Sequence, residues 1–206
     1  MSYHRPALFA GHEFSAFQGG DDPAVMSALA HETASRVLAN VQGAPPEVID
    51  RAITVADENG LDVVAELWSH SDPHTLPGSL WQMYLIRAVT RQRASEIGHL
   101  YSLGIEALST VDPVVAGAPS GAGATDMRDL ADEVLRGAFT GDYGDALDRA
   151  AAFCRVVAAG SLVEAQAAET LAPQRAEEFT TQAARLTTMA TALTRCAYLW
   201  RRGDLG

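Results

Sequence analysis

Apolar residues along this chain recur at steps of three and four, and Pro, Gly and small polar residues interrupt the pattern at intervals. No stretch alternates with period two for long enough to propose a strand. The expected class is therefore all-α, a bundle of about six to eight helices. Asp22-Pro23 reads as a helix start, because an aspartate at the N-cap accepts from orphan N–H groups and proline fits the first turn. That helix is expected to run to about Gln42, where Gly43 and Pro45-Pro46 stop it. A second helix is expected over 46–59 with Gly60 after it, and a short third over 61–69, ending in the turn that begins Ser71-Asp72-Pro73.

From Ser79 a long helical stretch extends toward Leu108, with a break expected near Gly98 or Gly104. Residues 111–125, rich in Pro, Gly and Ala, read as the one long loop. Thr125 or Asp126 is then expected to cap a helix that ends near Gly137, and Asp142 opens the next. Ala146, Leu147, Ala150, Ala151, Cys154, Val157 and Ala158 would give that helix one narrow apolar face. The last helix is expected from Pro173, with Phe179, Ala183, Leu186, Ala190, Leu193, Ala197 and Trp200 spaced as a coiled-coil-like seam. Residues 1–21 mix Gly, Pro and aromatics without a period and read as an extended arm. Its Phe9, Phe14 and Phe17 are available to dock on the body. The rest, 22–206, reads as a single helical domain whose lobes, 22–110 and 126–206, are joined by the 111–125 loop.

Composition narrows the choice of function. The 206 residues carry a formal charge of −11, and all 15 basic residues are arginine, with no lysine. An acidic excess of this size repels phosphate and anionic lipid and favours basic protein partners. No apolar run approaches the roughly 20 residues of a spanning helix. No charged and then apolar segment resembling a secretory signal opens the sequence, so a cytoplasmic location is expected. Cys154 and Cys196 sit inside apolar helical stretches and belong to no Cys-x-x-Cys pair, as expected of reduced core residues.

Candidate chemistry is sparse. Residues 48–84 echo a TetR-type helix-turn-helix, with Pro77-Gly78-Ser79-Leu80-Trp81-Gln82-Met83-Tyr84 in the place of the recognition helix. Against DNA binding, Pro73 stands in the turn, and 44–93 holds four arginines against seven carboxylates. Gln82, Arg87 and Arg91 would be the polar readers. His70 and His74 are spaced i, i+4 and Glu66 is near them in sequence, which makes these three a weak candidate metal set. Glu96 and His99 form a single Glu-x-x-His, where a di-iron bundle needs two. His12-Glu13 and His31-Glu32 lack a second histidine. Ser120 is not in a Gly-x-Ser-x-Gly elbow, and a Walker lysine is impossible without lysine. Asp142, Asp145 and Asp148 read as a helix N-terminal turn and a solvated face.

Several blocks carry a resemblance over nearly the whole length: residues 5–14, 66–69 with 76–81, 112–119, 139–142 with 150–160, and the closing 199–203. In these the chain resembles a family of small, uncharacterised all-helical proteins of actinobacteria. The resemblance implies a helical fold and supplies no activity, cofactor or catalytic residue. The expectation is a non-enzymatic helical interaction or regulatory module with no cofactor, binding a protein partner or forming a homodimer, with no nucleic acid or membrane involved. The alternative is a TetR-like helical protein that binds a small ligand and has weak or lost DNA binding. An enzyme built around Glu66, His70 and His74 is a third class.

Overall fold

The computed structural model describes residues 22–50, 53, 68–117 and 123–206. Among them all regular structure is helical, in agreement with the expected class. The helices with full bounds are α1 (Pro23–Val41), α2 (Leu76–Gln92), α3 (Ala94–Ala107), α4 (Asp112–Ala116), α5 (Ala124–Thr140), α6 (Tyr143–Ala168) and α7 (Pro173–Arg202). Residues 46–50 are also helical. The arm 1–21 and most of the expected second and third helices lie outside the described residues.

Helix ends follow local chemistry. The Asp22 carboxylate accepts from the Ala24 N–H at 2.9 Å, and α1 ends before Gly43, whose φ of +74° a side chain would disfavour. α2 starts at Leu76, three residues earlier than expected, because the Thr75 hydroxyl accepts from the Gly78 N–H at 3.3 Å. Pro77 then sits in the first turn, where its missing N–H costs nothing. The break in the long stretch falls at Arg93, not at Gly98 or Gly104. Both glycines lie inside α3 and are buried.

The reason is packing. A Cβ on Gly104 would lie 1.9 Å from the Val156 carbonyl oxygen, and one on Gly160 would lie 1.8 Å from that of Leu100. The α3 and α6 backbones therefore touch, antiparallel, across two glycines. Any side chain at either position would force the helices apart.

Within the expected loop, residues 112–116 form α4, and Arg149 on α6 donates to the Ala116 carbonyl at 3.2 Å. α5 begins at Ala124, where the Asp126 carboxylate reaches back to the Gly123 N–H at 2.7 Å. It runs past Gly137 to Thr140 because Ala138 and Phe139 are fully buried. α6 is the centre of the bundle, packed against α3, α4, α5 and α7. The expected narrow face is wrong for it: Ala152, Phe153, Val156, Gly160 and Ser161 are buried as well, so it is enclosed nearly all round. α7 starts at Pro173 as expected and keeps its seam, with Phe179, Ala183, Ala190, Leu193 and Ala197 buried.

Candidate interaction surface

The residues singled out for chemistry are mostly engaged in holding the fold. Gln82 is buried, and its amide nitrogen donates to the carbonyls of Pro73 at 2.9 Å and Gly78 at 3.2 Å. Cys196 on α7 donates to the same Pro73 carbonyl at 3.4 Å. The Ser79 and Tyr143 hydroxyls bond at 2.8 Å in the core, and Trp200 meets the Tyr143 ring edge-on at 5.0 Å. Together these contacts fasten the turn before α2 to α6 and α7. Arg87 is 3% exposed, and it and Arg91 both donate to Asp132 of α5, at 2.6 and 2.7 Å. The three side chains that DNA reading would require are thus engaged within the chain, Gln82 and Arg87 buried and Arg91 partly exposed.

Glu66 lies outside the described residues. His70 and His74 are both exposed in the turn and engaged separately, His70 with the Ser69 hydroxyl at 3.1 Å and His74 with the Asp72 carboxylate at 3.1 Å. The His74 backbone N–H also bonds Asp72, and these contacts hold that carboxyl below its usual range. Among the described residues no group of three or more His, Cys, Asp or Glu is arranged to hold a metal. His99 reaches across to Glu164 of α6 at 2.7 Å, while Glu96 is paired with Arg93. Asp142 caps α6, and Asp145 and Asp148 both bind Arg201 at 2.8 Å, closing the ends of α6 and α7 together. Cys154 and Cys196 are free and buried, and burial pushes their thiols up to about 12 and about 11. At neutral pH neither supplies the thiolate that reactivity requires.

What remains open is a surface made by α4, α7 and one residue of α6. Val111, Val114 and Val115 follow the i, i+3, i+4 spacing of a helix face and are exposed by 71%, 82% and 42%. On the other side of α4, Ala116 is fully buried and the Asp112 carboxylate binds Arg155 of α6 at 2.7–2.8 Å. Burial works to raise the Asp112 carboxyl. Hydrogen bonds from Arg155 and Thr110, together with the Arg155 charge, outweigh that effect and hold it below the usual range. Arg155 also donates to the Thr194 hydroxyl of α7 at 3.2 Å, so this guanidinium ties α4 to α7.

Beside it runs a shallow groove of about 420 Å³, lined by Arg155, Thr187, Ala190, Thr191, Arg195 and Tyr198 among others. Tyr198 is 48% exposed, with Arg195 and Arg202 stacked on its ring at 5.2 and 5.5 Å. A second, larger groove of about 680 Å³ lies near the start of α7. Part of its charged lining is engaged, Arg93 with Glu96 and Arg175 over the Phe179 ring at 5.3 Å.

None of the α4–α7 surface residues was singled out by sequence as a binding residue, and Ala190 was read only as part of the seam. The available signal was Asp112-Pro113, the same start signature as Asp22-Pro23, followed by two valines. Compared with protein-family models, curated proteins and solved structures, the chain matches none. No described helix is long and apolar enough to cross a membrane.

Proposed function

We propose that the protein is a non-enzymatic helical interaction module of the cytoplasm, and that α4 and α7 form its binding surface. One observation carries this reading: exposed Val111, just before α4, and exposed Val114 and Val115 on it lie across Arg155 from a groove that holds the exposed Tyr198. Clustered apolar exposure of this kind marks interaction sites, whereas isolated exposed apolar residues are ordinary. The partner is a protein. DNA is disfavoured, because Gln82, Arg87 and Arg91 are each bonded to other groups of this chain, and the chain is strongly acidic.

The test is site-specific photocrosslinking in native cell extract. A crosslinker placed at Val114 should give a discrete protein adduct that Tyr198→Glu abolishes. The same crosslinker at Glu177, outside this surface, should not. Equal adducts from both positions would rule out the α4–α7 assignment.

A further inference from the structure

We draw no further inference here: the strongest candidate, the groove of about 680 Å³ between the start of α3 and the first turns of α7, carries nothing, because its mixed arginine and glutamate lining favours no ligand class and nothing in the structure shows what covers it.

Discussion

α6 and α7 are adjacent antiparallel helices, both long and rich in alanine, yet they stand in opposite relations to solvent. α6 has neighbours on nearly every side, and its small residues bring backbones into contact, with Gly160 set against the Leu100 carbonyl. α7 buries one stripe against α6, and its small residues at Ala184, Thr187, Thr188, Thr191 and Thr194 face outward. Several of those threonines turn their hydroxyls back to carbonyls four residues earlier, at 2.9–3.0 Å, leaving methyl groups outside. Small residues therefore mean two things in one molecule: close packing where helices surround them, and a low-relief outer surface, crossed by Arg185 and Arg195, where none does.

The largest expected effect lies at the α3–α6 crossing. Gly160→Val should destabilise the protein by at least about 3 kcal/mol, or prevent folding, because a backbone carbonyl occupies the space of the new Cβ. Ala184→Val on the outer face of α7 should change stability by less than about 0.5 kcal/mol in urea unfolding. Similar losses at the two sites would break the contrast.

Within α7 the contrast should hold from one face to the other. Leu193 is fully buried, so Leu193→Asp should cost about 3–5 kcal/mol by placing a carboxylate in the core. Thr188→Asp, on the outer face, should be nearly silent in the same measurement. Next comes the buried charge. Arg87→Met should cost about 2 kcal/mol, less than loss of an isolated buried pair, because Asp132 keeps Arg91.

The smallest effect concerns Asp112. Asp112→Asn should cost under about 1 kcal/mol near neutral pH, since its partner Arg155 is partly exposed. The folded-state pKa is depressed, so the stabilisation is fully present above the ordinary carboxylate value of about 3.9 and fades as pH falls through the lower folded value. The midpoint difference between wild type and Asp112→Asn should be constant from about pH 6 to 8 and shrink below about pH 4.

Helix class, the Asp22-Pro23 and Pro173 starts and the α7 seam were legible because caps and one-sided burial leave local marks. The enclosure of α6 was not. Ala152, Phe153 and Val156 fall off a single stripe, and only the arrival of α3, α4 and α5 makes them core. Gly98 and Gly104 misled for a related reason, since a glycine that ends a helix and one that admits a neighbouring backbone look alike in sequence. α4 was missed because five residues are too few for a periodicity, although Asp112-Pro113 marks its start. The site was the least legible part. Val111, Arg155 and Tyr198 lie on three separate segments, and the Asp112–Arg155–Thr194 chain that unites them exists only once the helices are assembled.

The central position of α6 also bears on the order of synthesis. The ribosome adds residues from the N-terminus, so α3, α4 and α5 emerge before the helix they pack around exists. At about 5–20 residues per second, the 26 residues of α6, 143–168, take roughly 1–5 seconds to make. Throughout that interval Leu100, Tyr101, Leu135 and Phe139, all fully buried in the finished fold, have no α6 to cover them. The nascent chain thus carries its apolar surface uncovered for seconds, whereas helix formation itself takes about a microsecond. Translation speed across 143–168, rather than intrinsic folding rate, sets how long these residues wait for their cover.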